Sequence, residues 1–393
     1  MLSRRRLLEL GIASSLSAGL VGCSSQPGSC PIAWVPSIIS PVFYGYADHV
    51  ACQGVEACVD QSGTANAPRV VPAAPPDAPP TTPPTSDLAV RVYFPSLDGS
   101  PQNAAPLRRC SRFPLVIFVH GDCNGNPFEQ WIDIPSQLAR SGYIVAVTNY
   151  GGVLATGAAS DTAPLHLVYN WMRNLSPYAN SLMPAPNTAV MGHSFGGTLA
   201  AQLAGEIPIA TFASLSGMFG VSNFNNTQPA SIKVPSLFFW VTGATTDEVL
   251  DGPSGQAGTG LWKGVKAPTH AVAFQNGHHA DYMQPDTAGM RCDQSGPCPL
   301  VRSLAADFLT AFLSKYMPPE ASAVATSYVP DNLFVAPGSQ PFLSPQQQFY
   351  AGTYLIGFAA SKLLNGTTTS MCVQSIYWRT AASAGMDSLT QGA

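Results

Sequence analysis

The chain has 393 residues, of which 46% are hydrophobic and only 10% charged, with a formal net charge of −4. That is ample material for one large core, and the 36 prolines and 35 glycines suit a loop-rich extracellular protein better than a cytosolic one. The 18 Lys and Arg, several of them near the N-terminus, make no basic cluster, so no nucleic-acid partner is expected.

Residues 1–22 are a processing signal and not part of the fold. Ser3-Arg4-Arg5-Arg6-Leu7-Leu8-Glu9 resembles a twin-arginine export motif. The modestly apolar stretch after it is too short and too rich in serine and glycine to span a membrane. It ends at Leu20-Val21-Gly22-Cys23, which resembles a lipobox with Cys23 as the lipidated new N-terminus; a plain cleavable signal is the alternative. Two or three acyl chains on one residue anchor firmly where a single chain does not. The expectation is an exported protein of the cell envelope, periplasmic or at the cell surface, attached to the membrane only through this lipid.

Eight further cysteines remain, an even number that suggests disulfides in an oxidising compartment. Cys52 with Cys58 and Cys292 with Cys298 have a spacing suited to closing small loops. Cys30, Cys110, Cys123 and Cys372 are not assignable by spacing; Cys30–Cys372 and Cys110–Cys123 are candidate pairs. No Cys-x-x-Cys or His-x-x-x-His spacing occurs, so no metal and no cofactor are expected.

Residues 68–84 hold eight prolines among alanine and threonine, a polyproline II spacer. The segment 23–67 before it carries Trp34, Phe43, Tyr44 and Tyr46, and either continues the tether or packs on the catalytic domain. After the linker at 68–87, that domain spans 88–316. It opens with an alternating strand at 88–95, and strands follow at 115–119, 144–148, 188–192, 209–214, 236–242 and 269–274. Helices are predicted near 129–141, 162–175, 197–205 and 300–316, the last with Leu304, Phe308, Leu309, Phe312 and Leu313 at helical spacing. Such βα alternation predicts an α/β fold with a doubly wound, mostly parallel sheet and helices on both faces. Residues 317–393 form a C-terminal accessory extension, with a helix or buried segment at 350–364 and a strand at 372–378.

Four of the strand ends carry chemistry. Gly192-His193-Ser194-Phe195-Gly196 reads Gly-x-Ser-x-Gly, and it lies between an apolar strand and a helix-forming stretch. That context is a nucleophile elbow, in which the serine takes a strained backbone and flanking side chains would clash. A serine hydroxyl needs a base and a carboxylate that orients it. After the strand at 236–242, Asp247 is the candidate acid, with Glu248 and Asp251 as alternatives. After the strand at 269–274 comes Asn276-Gly277-His278-His279, where the base belongs; His279 is favoured and His278 remains open. His49, His166, His193 and His270 lack such a placement and read as surface or packing residues. Two backbone N–H groups should form the oxyanion hole, from Phe195 and from Asp122 in the loop His120-Gly121-Asp122-Cys123. Losing one such donor costs about 3 kcal/mol of transition-state stabilisation.

Gly-His-Ser-Phe-Gly-Gly at 192–197, His120-Gly121 and the stretch 137–146 resemble the α/β-hydrolases. Within them the chain is most similar to the branch holding platelet-activating-factor acetylhydrolases, chlorophyllases, dienelactone hydrolase-like proteins and cutinase-like polyester hydrolases. The resemblance covers about residues 88–316 and departs at Asp122, at the doubled histidine and at both termini. It implies the α/β-hydrolase fold, a Ser194–His279–Asp247 triad, and the Phe195 and Asp122 amides as oxyanion donors.

The expected function is a serine carboxylester hydrolase acting through an acyl-enzyme on a small-molecule or polymer ester. An acyltransferase or amidase with the same triad, or a catalytically silent surface-binding lipoprotein, are the alternatives. Neither acyl chain length nor oligomeric state is legible.

Overall fold

The apolar runs of the sequence become strands whose alternate residues enter two different cores. The computed structural model describes residues 43–51, 88–96, 101–102, 104, 112–121, 127–149, 162–217, 232–242, 265, 268–275, 279–284, 301–319, 373–379 and 387–390. Among these are ten strands: β1 (Phe43–Ala51), β2 (Leu88–Ser96), β3 (Leu115–Val119), β4 (Ile144–Asn149), β5 (Thr188–His193), β6 (Thr211–Leu215), β7 (Ser236–Thr242), β8 (Thr269–Gln275), β9 (Val373–Arg379) and β10 (Asp387–Thr390). The helices are α1 (Pro127–Gln130), α2 (Asp133–Arg140), α3 (Ala163–Asn174), α4 (Phe195–Glu206) and α5 (Val301–Tyr316).

The strands form one sheet in the order β1-β2-β4-β3-β5-β6-β7-β8-β9-β10. From β4 through β8 every pairing is parallel. Antiparallel pairs close both edges, β1 with β2 and β2 with β4 on one side, β8 with β9 and β9 with β10 on the other. Leu115, Ile117 and Val119 of β3 lie in the core shared with α3 and α4 (Val168, Trp171, Leu199, Leu203). Val116 and Phe118 lie in the core shared with α2 and α5 (Leu138, Leu304, Phe308, Leu309, Phe312). A strand buried on both faces has no polar side, which is why β3 reads as an unbroken apolar run in the sequence. The helix predicted at 300–316 is α5, and its apolar positions fill the second core as expected.

β1 falls in the segment for which sequence left two readings. Nine residues of it pair with β2 in continuous register, Phe43 opposite Ser96 to Ala51 opposite Leu88. The Arg91 guanidinium of β2 makes two hydrogen bonds to the Asp48 carboxylate of β1, at 2.6 and 2.7 Å, and lies over the Tyr46 and Phe128 rings. At the other edge β9 pairs along β8, Thr269 opposite Arg379 to Phe274 opposite Val373, so the last part of the chain is a strand of the central sheet. Among the described residues no helix is long and apolar enough to cross a membrane.

The registers align the C-terminal ends of the parallel strands. Val119 stands opposite Gly192, His193 opposite Leu215, Leu215 opposite Phe239, and Thr242 opposite Gln275. The loops after β3, β5, β6, β7 and β8 therefore leave from one edge, where open α/β sheets bind their ligands.

Because β9 covers β8, deleting residues 371–393 should leave β8 as a bare apolar edge, which invites aggregation. The expected outcome is a chain that elutes in the void volume of a sizing column and loses its cooperative thermal melt. A monomeric truncated protein with a native melt would contradict this.

Candidate active site

β5 runs buried to His193, and the chain then turns sharply at Ser194 into α4. Ser194 has φ 54° and ψ −127°, a conformation that costs a side-chain-bearing residue about 1–3 kcal/mol and persists only when its surroundings enforce it. The enforcement is visible. The Ser194 N–H donates to the Leu215 carbonyl at 3.0 Å, and the Ser194 carbonyl accepts from the Gly197 N–H at 3.0 Å. The turn is thus tied to the end of β6 on one side and to the first turn of α4 on the other.

The motif glycines are demanded by clearance. A Cβ on Gly192 would sit 2.2 Å from the Gly196 carbonyl oxygen, and one on Gly196 would sit 2.1 Å from the His120 oxygen and 2.3 Å from the Val119 oxygen. Backbone meets backbone at both places, so no side chain can move aside to make room. Gly121 is as crowded: a Cβ there would lie 2.8 Å from Ser194 Cβ and 2.8 Å from His193 Nδ1. The loop after β3 therefore passes directly over the serine. Phe195 opens α4, where the helix dipole and its first N–H groups favour negative charge.

The turn after β8 is fastened to the same place. The His193 Nε2–H donates to the His279 carbonyl at 2.8 Å, and the two imidazole rings lie 4.7 Å apart. Three residues on, Tyr282 is fully buried and accepts a hydrogen bond from the Ser216 hydroxyl at 3.2 Å, where Ser216 itself has φ 47° at the end of β6. The Gln284 N–H donates to the Gln130 carbonyl at 2.8 Å. Arg302 of α5 donates to the Met283 carbonyl and pairs with Asp133 of α2 at 2.7 Å.

The described residues thus bring Ser194, Gly121 and the His279 turn together at one sheet edge. Asp247, Glu248 and Asp251, His278, Asp122 and all nine cysteines, Cys23 and the pairs Cys52–Cys58 and Cys292–Cys298 among them, lie outside the described residues. Sequence reading took His193 for a surface or packing residue; it is wholly buried and joins the end of β5 to the His279 turn. Trp131, whose ring lies 5.1 Å from His193, and Tyr282, whose ring lies 5.6 Å from it, were not singled out. One signal was available: an imidazole in an otherwise apolar buried strand needs a partner. The other unassigned histidines behave as surface or packing residues. His49 meets Tyr178 Oη at 3.2 Å, His270 meets Tyr316 Oη at 2.9 Å, and His166 pairs with Glu206 at the surface.

With this strand order and this elbow, the described residues have the architecture of the α/β-hydrolase fold. The sequence model of the alpha/beta hydrolase fold matches residues 114–254, from the strand before the His-Gly loop to beyond β7. Among solved structures the chain is similar to a ferulic acid esterase from Streptomyces cinnamoneus, at 15% identity and a TM-score of 0.47, over 72% of this chain and 92% of that one. No curated protein matches the sequence.

Three histidines are buried without charge. Burial holds His120 at about 4 against its hydrogen bond to the Gly121 carbonyl, and burial followed by Lys315 holds His270 at about 3. Burial first, then the neighbouring His279 and His120, pushes His193 well below the ordinary imidazole value. In the unfolded chain each returns to about 6.5 and binds a proton that the native state refuses. Stability from this source is therefore complete above about pH 6.5 and is lost on acidification, by about 1.4 kcal/mol per pH unit for each histidine. Urea titrations between about pH 7.5 and 4.5 should show it, and His270→Gln should make the slope shallower by one histidine's share. A flat profile would contradict the burial of these rings.

Proposed function

We propose that the protein is a serine carboxylester hydrolase. The observation that carries this reading is the strained Ser194 at the start of α4 with the His279 turn bonded to the residue just before it. In this mechanism Ser194 Oγ attacks the ester carbonyl while His279 takes its proton, and His279 then returns that proton to the leaving alcohol. The acyl-enzyme is released when His279 activates water. Asp247, in the loop after β7, orients the imidazole, and the amides of Phe195 and Asp122 receive the oxyanion charge. The position of the His279 ring beside the elbow favours it over His278. Strain at the serine is consistent with a preset nucleophile, since such backbone conformations are retained where they serve function.

The test is hydrolysis of p-nitrophenyl esters from acetate to palmitate by the form that starts after Cys23. Ser194→Ala should lower kcat by about 10³-fold or more and abolish labelling by a fluorophosphonate. The chain-length profile then sizes the acyl pocket. Labelling without ester turnover would move the assignment to an acyltransferase or amidase, and neither labelling nor turnover would favour the silent surface-binding protein.

We also propose that the enzyme is exported and held at a membrane by a lipid on Cys23, with residues 68–84 as the spacer. Full-length protein made in a bacterial host fed an alkyne fatty acid should take up the label and sediment with membranes. Cys23→Ala should do neither; an unlabelled wild type would overturn the anchor.

A further inference from the structure

We propose that His193 is a positioning residue for the catalytic base, holding the His279 turn against the nucleophile through its Nε2–H and its ring. This rests on the reading of Ser194 and His279 as nucleophile and base. His193 is the last residue of β5, its Cα opposite Leu215, so it shares the rigid frame that fixes Ser194 one residue later. A hydrogen bond from that frame to the His279 carbonyl spans 86 residues of chain in 2.8 Å. The base therefore takes its position directly from the nucleophile strand, without relying on the intervening loops.

The chemistry of the side chain fits the task. A carbonyl requires a donor, and the place is fully buried among the rings of Trp131, Tyr282 and His279 at 5.1, 5.6 and 4.7 Å. An imidazole supplies a neutral N–H there, whereas Lys or Arg would bury a charge. With Nε2 carrying the hydrogen, Nδ1 is a bare lone pair, buried with no partner among the described residues. Neutrality has a second use. When His279 accepts the serine proton it becomes a cation, and a charged neighbour at this distance would oppose it. The buried ring resists protonation and spares the transition state that repulsion.

Two variants separate positioning from simple packing. His193→Phe keeps a ring and removes the donor, while His193→Gln keeps an N–H donor without the ring. Misplacement of a catalytic group by about 1 Å costs about 10²-fold, so His193→Phe should lose about 10- to 100-fold in kcat with KM within about twofold. His193→Gln should recover most of that loss, and fluorophosphonate labelling should slow in parallel in His193→Phe. Activities are compared per folded molecule, from the thermal melts of the same samples. Wild-type kcat in His193→Phe overturns the proposal, as does an equal loss in both variants that follows only their folded fraction. A wild type that neither hydrolyses nor labels overturns the esterase reading and this inference with it. An active wild type beside an unaffected His193→Phe overturns this inference alone.

Discussion

Everything at the catalytic edge depends on how closely β3, β5 and α4 approach one another around Ser194. The strained serine is possible because glycines stand two residues before and two residues after it, where a side chain would obstruct the turn. Gly196 lies against the carbonyl oxygens of His120 and Val119, and Gly192 against that of Gly196. This contact does two things at once. It brings the first turn of α4, with its N–H groups, to the serine, and it brings the loop after β3 across it through Gly121. Ser194 and the start of the loop after β3 are thus placed by one steric constraint, and neither could be relaxed without moving the other.

The second constraint is electrostatic. His120, His193 and His270 sit in surroundings that cannot solvate a cation, and each is kept neutral by burial. Neutral imidazoles make specific, directional hydrogen bonds without the desolvation cost of a buried charge. Two of the three are at the active edge. His120 donates from Nδ1 to the Gly121 carbonyl at 2.6 Å, which stiffens the same loop that crosses Ser194, and His193 donates to the His279 carbonyl. The loop and the His279 turn are thereby held by side chains that contribute no charge of their own to the edge where Ser194 lies.

How much of this was readable in the sequence follows from which forces are local. The parallel strands were legible because burial on both faces leaves runs such as Leu115–Val119 without a polar residue, and the helices by their 3.6-residue spacing. The elbow was legible because its glycines are a local requirement of the turn. The bond from His193 to His279 was not, since it joins residues far apart in the chain and depends on how β5 and β8 are placed in the sheet. Nor was the fate of 43–51, where aromatic residues signalled packing but the pairing partner is set by the edge that β2 leaves open. Residues 372–378 read as a strand, yet nothing local says that it lies along β8. Asp247, Asp122 and the cysteines lie outside the described residues, so their reading still rests on sequence alone.

The place of β9 makes the His279 turn, which carries the proposed base, dependent on the far end of the chain. β8 leads into the His279 turn, and it lies between β7, which leads toward the loop bearing Asp247, and β9. Pairing on both sides, with one register irregularity against β9 at Ala273 and Phe274, resists the slips that would move everything beyond the end of β8. The turn itself is fastened again beyond β8, by Tyr282 to Ser216, Gln284 to Gln130, and Arg302 to the Met283 carbonyl. These ties reach the end of β6, α1 and α5, so that three separate elements each give a fixed point to one short turn. A base must hold its position to a fraction of an ångström through proton uptake and release. Here that precision is distributed between the sheet, which sets where β8 ends, and the buried polar contacts, which set where His279 lies relative to Ser194.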